Sequence, residues 1–338
     1  MTDSTTNSIT EWSNVSREIF DAQILPVQQP AVLRGLVSDW PLVRAARGDA
    51  PSLYHLLADC AAERKVKVMV APSAAKGWLH YNDDLSGFNF ERREIEFRDL
   101  LAYLLAHASA PSVAVAMQSV LADDIVPGFE ADHRLELIDV AIKPRLWIGN
   151  AVTVAAHYDP SENIACVLAG RRRFTLFPPE QVENLYVGPL EDTPAGASIS
   201  LVRDPPDLGR FPRYELAQAA ALTAELGPGD AIYIPYLWWH RVDSLEPLNL
   251  LANYWWGPDL AGAGAPRDAF IHALVGLRAL PKAHRRAWRA MFDHYIFEAD
   301  EDRVAHIPEA RRGVLGEPDT QALLSIRREL TRLLDPDT

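Results

Sequence analysis

A run of short β-type segments between residues 112 and 257 constrains the fold of this chain more than any other feature. Residues 145–148, 152–157 and 231–234 are mostly apolar, and Gly, Pro and Asp separate such segments from one another. Many short strands with turn residues between them, and no alternating helical pattern, are typical of a barrel or jelly roll. The sequence therefore predicts a β core over residues 111–257.

Helical patterns flank this core on both sides. Pro51 begins a helix in the N-terminal region, and Pro266 begins another in the C-terminal region. A further C-terminal helix is indicated by apolar residues at helical spacing, which are Leu323, Ile326, Leu330 and Leu333. We therefore predict a mainly β protein with helical flanks. N-terminal α/β elements (1–110), the core (111–257) and a helical region (258–338) are expected to form one integrated domain.

The charge and cysteine content exclude several classes of function. There are 46 Asp and Glu residues against 33 Lys and Arg residues, which gives a formal net charge of −13. An acidic chain repels phosphate backbones, so we expect no nucleic-acid partner. A basic peptide or protein surface would be attracted, but the alternative, that the charge only keeps the protein in solution, is slightly favoured. Two distant cysteines, Cys60 and Cys166, cannot form a disulfide framework and indicate a reducing compartment.

The start of the chain and its hydropathy give no sign of export or of a membrane partner. Residues 1–12 are polar and lack the basic and then apolar pattern of a signal peptide. No apolar run approaches the length of a membrane span. We therefore expect a cytoplasmic protein.

His157, Asp159 and His240 form a candidate metal site. His157-Tyr158-Asp159 is the only His-x-Asp in the chain, and on a strand both of its outer side chains would face the barrel interior. His240, flanked by aromatic residues, supplies a third ligand just past the strand at 231–234. Two imidazoles and a carboxylate on one side of a metal leave positions open, which suits an Fe(II) ion that accepts a co-substrate and then dioxygen.

Plainer interpretations of the same residues remain open. Asp159-Pro160 is also a turn signal, so His-x-Asp can lie on a surface turn. A lone buried histidine such as His240 is more often a hydrogen-bonded core residue than a ligand. The order of the elements favours the metal site, because a strand-borne His-x-Asp is followed by a hairpin, a Gly-Asp turn and an aromatic-flanked His.

The same region resembles the cupin-like branch of the JmjC-type hydroxylases. The resemblance rests on the stretches 157–163 and 170–179, followed by 233–240 and 253–256 in the matching order. It covers roughly residues 77–257. It implies a double-stranded β-helix (cupin or jelly-roll fold), Fe(II), 2-oxoglutarate as co-substrate, and hydroxylation of a C–H bond.

The resemblance also implies a co-substrate pocket. Arg172 lies where this family usually has a lysine for the far carboxylate of 2-oxoglutarate, and a guanidinium can bind a carboxylate with two hydrogen bonds. Arg172 shares strand parity with apolar Phe174 and Leu176, which favours an inward side chain over a solvated turn. Asn163 and Asn253 match amides that lie beside the co-substrate in the family.

Two positions depart from the family pattern. Val154 stands where the family often has a threonine, and Thr153, which shares parity with His157, is a candidate replacement. Ala116 lies near the position of a tyrosine that helps to bind the far carboxylate. We therefore expect a pocket with fewer hydrogen-bond donors than the family pattern has.

Other features have competing interpretations. Tyr81, in the loop at 80–88, matches a substrate-side loop of the family, and an acidic surface turn is the alternative. We expect the tryptophan pairs at 238–239 and 255–256 to be packing residues rather than a substrate channel.

The leading functional hypothesis is an Fe(II)- and 2-oxoglutarate-dependent oxygenase that hydroxylates a protein side chain or a small molecule. The alternatives are a metal-binding cupin without turnover that acts as an interaction module, and a cupin isomerase or dioxygenase with another divalent metal. The apolar stripe of the last helix needs a partner surface, so we also predict a homodimer through the C-terminal helices.

Overall fold

Fifteen short strands and ten α-helices lie within the residues described by a computed structural model, which are 7–48, 50–108, 113–257, 264–299, 301–316 and 319–334. The strands are β1 (Asn7–Ser8), β2 (Thr10–Ser13), β3 (Ala31–Arg34), β4 (Lys65–Pro72), β5 (Trp78–Leu79), β6 (Glu91–Glu96), β7 (Val113–Leu121), β8 (Arg145–Gly149), β9 (Thr153–His157), β10 (Glu162–Ala169), β11 (Arg172–Phe177), β12 (Leu222–Leu226), β13 (Ala231–Ile234), β14 (Trp239–Ser244) and β15 (Asn249–Trp256). The α-helices are α1 (Arg17–Ile19), α2 (Pro41–Gly48), α3 (Ala50–Cys60), α4 (Phe97–Ala106), α5 (Ala122–Ile125), α6 (Phe129–Asp132), α7 (Tyr214–Ala220), α8 (Pro266–Leu277), α9 (Lys282–Phe292) and α10 (Thr320–Leu334).

The strands form two sheets. One has the order β1-β12-β11-β14-β9-β5 and the other has the order β2-β3-β13-β10-β15-β8-β7-β4-β6. The central pairings β11–β14, β14–β9, β10–β13 and β10–β15 are all antiparallel. Since most neighbours in each sheet are not consecutive in the chain, the chain crosses repeatedly between the sheets. The predicted mainly β fold with helical flanks is confirmed, and the two mixed sheets agree with a jelly roll.

The interior of the jelly roll is formed by side chains from both sheets. Phe174 and Leu176 on β11 and Val242 on β14 belong to one buried apolar cluster with Ala165 on β10 and Ile232 on β13. Alternate residues of a strand face opposite sides, so this cluster identifies the inward parity of each strand. The candidate site can therefore be placed by register alone.

The N-terminal helices belong to a second apolar cluster on the nine-stranded sheet. Leu53 and Leu57 of α3 and Leu100 and Leu104 of α4 are all buried there, at the i and i+4 spacing of a helical stripe. Replacing one of these leucines with alanine costs about 2–5 kcal/mol of folding free energy. These helices thus share a core with β10 and β15, the strands that carry Asn163 and Asn253.

The predicted strand positions agree with the structure to within one or two residues in most cases. One difference affects the site. The sequence places His240 just past the strand at 231–234, whereas the structure places it inside a separate strand, β14. The short turn at 235–238 separates the two strands, and Trp238 donates its N–H to the carbonyl of Pro235 across it.

A β-bulge interrupts the pairing of β9 with β14. His157 lies opposite His240, and Val154 lies opposite Val242, so three residues of β9 advance against two of β14. The extra residue reverses the facing of every β9 residue before it. This reversal changes which side chains of β9 reach the interior.

The chain divides into two compact units, Met1–Gly257 and Pro258–Thr338. The second unit contains α8, α9 and α10, and it leaves many large apolar side chains exposed. These include Phe270, Val275, Trp288, Met291, Phe297 and Leu330. Of the predicted apolar stripe on α10, the side chain of Leu333 lies outside the described residues, as do residues 258–263 at the start of the predicted helical region. The single integrated domain stays a prediction.

No helix among the described residues combines the length and the apolar character that crossing a membrane requires.

Candidate functional site

Two buried histidines lie side by side on neighbouring strands of the six-stranded sheet. His157 is the last residue of β9 and pairs directly with His240 on β14. His240 also pairs with Leu176, whose side chain lies in the interior cluster, so both imidazoles face inward. Their ring centroids are 4.2 Å apart. Pairing between β9 and β14 therefore brings together two residues that are far apart in sequence.

Backbone carbonyls fix the orientation of both rings. The Nδ1 atom of His157 lies 2.9 Å from the carbonyl oxygen of Ala155, and the Nδ1 atom of His240 lies 3.0 Å from that of Trp238. A carbonyl oxygen can only accept a hydrogen bond, so each Nδ1 carries a proton and each Nε2 is the ring atom left to face a metal ion. Donation by the second ring nitrogen to a fixed acceptor is the usual arrangement of metal-binding histidines.

Burial keeps the second imidazole neutral. Burial, and next the neighbouring ring of His157, lower the pKa of His240 to about 4, although Asp159 acts in the opposite direction. A neutral imidazole is the form that binds a metal ion. The ring is therefore ready to act as a ligand near neutral pH.

Asp159 lies beyond the end of its strand. The predicted strand-borne His-x-Asp is wrong in this detail, because β9 ends at His157 and Asp159 belongs to the following loop. The N–H of Leu237 donates to the Asp159 carbonyl at 3.1 Å, which fixes the backbone of the loop. The Asp159 carboxylate oxygen Oδ2 lies 3.5 Å from Nε2 of His240. Loop contacts rather than strand parity thus aim the carboxylate at the histidines.

His157, Asp159 and His240 could hold a metal ion. One potential ligand atom from each residue lies within 4.8 Å of the others. Two imidazole nitrogens and one carboxylate oxygen make a donor set that suits Fe(II), and three protein ligands leave further positions free. On this donor chemistry the residues fit the predicted iron.

Arg172 is buried on the inward face of β11, and the described part of the chain offers it no acidic partner. It is 7% exposed, and its Nε atom has no hydrogen-bond partner among the described residues. Burial lowers the pKa of Arg172 to about 10, which leaves the guanidinium charged near neutral pH. Buried charges are almost always paired, so an unpaired guanidinium in this position fits an anion that enters the interior.

The flanking arginines have a different environment. Arg171 lies 2.8 Å from Glu246, and Arg173 lies 2.5 Å from Glu225, each in an exposed ion pair. Alternation along the strand explains the difference, because Arg172 shares the parity of interior Phe174. The structure thus separates one inward arginine from two outward ones.

The two predicted asparagines face the interior on adjacent strands. Asn163 on β10 donates from Nδ2 to Asp159 Oδ2 at 3.4 Å, and its buried Oδ1 has no partner among the described residues. Asn253 on β15 accepts at Oδ1 from the indole of Trp147 at 2.7 Å. Both amides therefore face the interior, and the amide of Asn163 contacts the candidate ligand Asp159 directly.

Thr153 faces away from the interior. The expectation that Thr153 shares a face with His157 is wrong, because the bulge in β9 reverses the alternation between them. The Thr153 hydroxyl instead donates to Asp243 at 2.8 Å on the outer face. Val154 is the residue on the inward parity, so the predicted replacement donor is not provided by Thr153.

Tryptophan residues are the part of the site that sequence reasoning missed. Trp255, which the sequence suggests as packing, donates its indole N–H to Asp159 Oδ2 at 3.0 Å. Its neighbour Trp147 donates to Asn253. A weak signal was present, since an indole near the interior needs an acceptor for its N–H. Tyr81 also differs from the predicted exposed loop, since it is only 1% exposed.

Comparison with known proteins supports a family assignment. The family model described as a cupin-like domain matches residues 16–261. HSPB1-associated protein 1 from Bos taurus is 26% identical over 288 residues, which is 78% of this chain and 56% of that protein. Lysine-specific demethylase 8 from Xenopus tropicalis is 24% identical over 243 residues, or 71% of this chain and 51% of that protein.

A shorter match has higher identity. Lysine-specific demethylase JMJ31 from Arabidopsis thaliana is 36% identical over 111 residues, which is 32% of this chain and 20% of that protein. The chain thus spans about half of the length of these curated relatives or less.

Proposed function

This chain belongs to the cupin-like domain family, and on that premise we propose that it is an Fe(II)- and 2-oxoglutarate-dependent oxygenase. The observation that carries the proposal is the convergence of His157, Asp159 and His240, whose potential ligand atoms lie within 4.8 Å. Some relatives are named as demethylases. Removal of a methyl group can begin with hydroxylation of its C–H bond, so these names are consistent with the proposed activity.

The three residues named above would hold the iron. Bound there, iron supplies the redox chemistry that couples decarboxylation of 2-oxoglutarate by dioxygen to hydroxylation of a C–H bond. The protein's own contribution is to present two imidazoles and one carboxylate in fixed orientations. It also keeps the surroundings dry, because both histidines are less than 10% exposed.

Arg172 would bind the far carboxylate of 2-oxoglutarate. Leu176 pairs with His240, and Arg172 lies four residues back along β11, so about 13 Å of strand separates the two levels. A long arginine side chain and a five-carbon diacid can together span such a distance. The apolar neighbours Phe174 and Val242 line the path between them and strengthen the charge interaction by excluding water.

We propose a protein or peptide as the substrate, with a small molecule as the alternative. The relatives are named for association with a protein or for demethylation of lysine, and both names describe a protein partner. The net charge of −13 favours a basic partner through long-range attraction. We place this activity in the cytoplasm, where the thiols of Cys60 and Cys166 stay reduced.

We also propose a homodimer through the C-terminal helices. Phe270, Val275 and Phe297 of that unit are each more than half exposed, and large apolar patches commonly mark protein interfaces. A second copy of the chain would cover this surface with an identical one.

Formation of succinate tests the proposed activity. Purified protein supplied with Fe(II), 2-oxoglutarate and dioxygen should form succinate, and Asp159→Ala should form none. Asp243→Asn is a matched control, because this carboxylate lies on the outer face, bonded to Thr153 and Arg241. If the wild type binds metal but forms no succinate with any tested substrate, a metal-binding interaction module is favoured instead.

A further inference from the structure

The Asp159 carboxylate depends on side chains from other strands for its orientation. Asp159 lies in a loop, and its side chain remains 19% exposed, in contrast to the nearly inaccessible histidines. A residue within a strand is held by backbone hydrogen bonds to the neighbouring strands, but a carboxylate in a loop can rotate toward solvent. Something outside the loop must therefore keep it turned toward His157 and His240.

Two donors on adjacent strands act on the same carboxylate oxygen. Trp255 donates from Nε1 to Oδ2 at 3.0 Å, and Asn163 donates from Nδ2 at 3.4 Å. Trp255 on β15 and Asn163 on β10 are direct partners in the sheet register, so they share the inward face. The shorter and better placed bond is the one from the indole.

The indole itself is held in place. Trp255 packs edge-on against Trp147, with 6.0 Å between the ring centroids. Trp147 in turn donates to Asn253 at 2.7 Å, so its own ring is fixed. A rigid aromatic donor imposes one direction on its acceptor more strongly than a flexible amide does.

We propose that Trp255 is a positioning residue, whose indole N–H holds the Asp159 carboxylate in the orientation that binds the metal. This inference rests on the proposed function, because it assumes that Asp159 is a metal ligand. Outer residues that orient a ligand typically contribute about 10–100-fold to metal affinity. Trp255→Phe keeps an aromatic ring against Trp147 but removes the N–H, so it should weaken metal binding within that range.

The test is a titration of the purified full chain with Co(II), followed by the visible absorption of the bound ion. Trp255→Phe should bind Co(II) about 10–100-fold more weakly, with an altered spectrum, because the carboxylate is no longer held. Trp256→Phe is the matched control, since it removes an indole N–H from the opposite face of the same strand, where the ring packs against Phe20 and Tyr233. That variant should bind Co(II) with the wild-type affinity and the wild-type absorption spectrum.

A second measurement needs no variant protein. In the wild type, the indole N–H signal of Trp255 in an NMR spectrum should shift on addition of Zn(II) much more than that of Trp147. If Trp255→Phe keeps the wild-type affinity and spectrum, or if the Trp255 signal does not move when metal binds, Trp255 is not a positioning residue. Either result would leave the proposed function standing. A wild type that binds neither Co(II) nor Zn(II) would overturn the proposed function as well.

Discussion

The two ends of the jelly-roll interior differ in how their polar side chains are satisfied. At the metal end, both histidines bond backbone carbonyls and Asp159 accepts from Trp255. At the opposite end of β11, Arg172 is buried and its Nε finds no partner among the described residues. The candidate metal ligands are thus oriented by the protein's own hydrogen bonds, whereas the guanidinium at the other end fits an anion supplied from outside. Changes at the two ends should therefore have separable effects.

Loss of a candidate metal ligand should have the largest effect. We expect His157→Ala or Asp159→Ala to abolish iron binding while the fold is kept, because two protein ligands hold Fe(II) poorly. The loss should exceed the roughly 10–100-fold change typical of outer residues. Iron content of the purified variants is the measurement. If both variants keep the wild-type iron content, these residues are not the metal ligands.

Loss of Arg172 should spare the metal and weaken the co-substrate. Removing one partner of a desolvated charge pair typically costs about 2–5 kcal/mol, so Arg172→Ala should raise the apparent KM for 2-oxoglutarate by roughly 30-fold or more. Iron content should stay unchanged. Arg172→Lys should retain much of the binding, since the charge remains.

The neighbouring arginines provide matched controls for this prediction. Arg171 and Arg173 lie on the outer face in exposed ion pairs, which contribute little. Arg171→Ala and Arg173→Ala should leave the KM nearly unchanged. Equal KM values in all three alanine variants would show that the inward arginine has no special role.

A buried histidine outside both ends should contribute to the acid sensitivity of the fold. Burial, and next the charge of Arg203, lower the pKa of His80 to about 4, against opposing contributions from the carbonyls of Ser200 and Tyr81 and from Asp83. Between pH 6.5 and 4 the unfolded chain binds a proton at this residue that the native state does not. Its contribution, about 3 kcal/mol, is therefore complete above pH 6.5 and lost as the pH falls toward 4.

Denaturant unfolding of the metal-free protein at several pH values checks this expectation. The wild type should lose stability between pH 6.5 and 4 more steeply than His80→Gln, in which this position does not titrate. Parallel curves for the two proteins would contradict the assignment. The result would also show whether acid weakens the protein outside the candidate site.

The smallest effect on the site is expected from the second unit. If the C-terminal helices form the homodimer, light scattering should give twice the mass of one chain, and Leu330→Glu should shift the protein toward the monomer. Metal and co-substrate binding should change little, because the residues proposed to bind or position them all lie between residues 153 and 255. A wild-type monomer across micromolar concentrations would contradict the proposed dimer.

Much of this arrangement follows from local pattern. Alternation within one strand is enough to separate Arg172 from its two neighbours, and short strands with turn residues predict the β core. The position of Thr153 was not predictable in the same way, because a bulge reverses its facing and leaves no clear mark in the sequence.

Long-range register explains what else the sequence did not reveal. Trp255 and Asp159 are 96 residues apart, and their hydrogen bond exists only because β15 pairs with β10. Asp159 reaches the histidines through a loop held by Leu237, which no strand pattern describes. Both features depend on how distant segments meet, and residue type alone does not specify that.

Binding of 2-oxoglutarate in the absence of oxygen tests the central claim most directly. Calorimetric titrations would compare Fe(II)-loaded wild type, metal-free wild type and Fe(II)-loaded Arg172→Ala. If one molecule spans both ends, binding should be tight only in the first and at least roughly 30-fold weaker in the other two. Equal affinity in all three proteins, or no binding by Fe(II)-loaded wild type, would contradict the account.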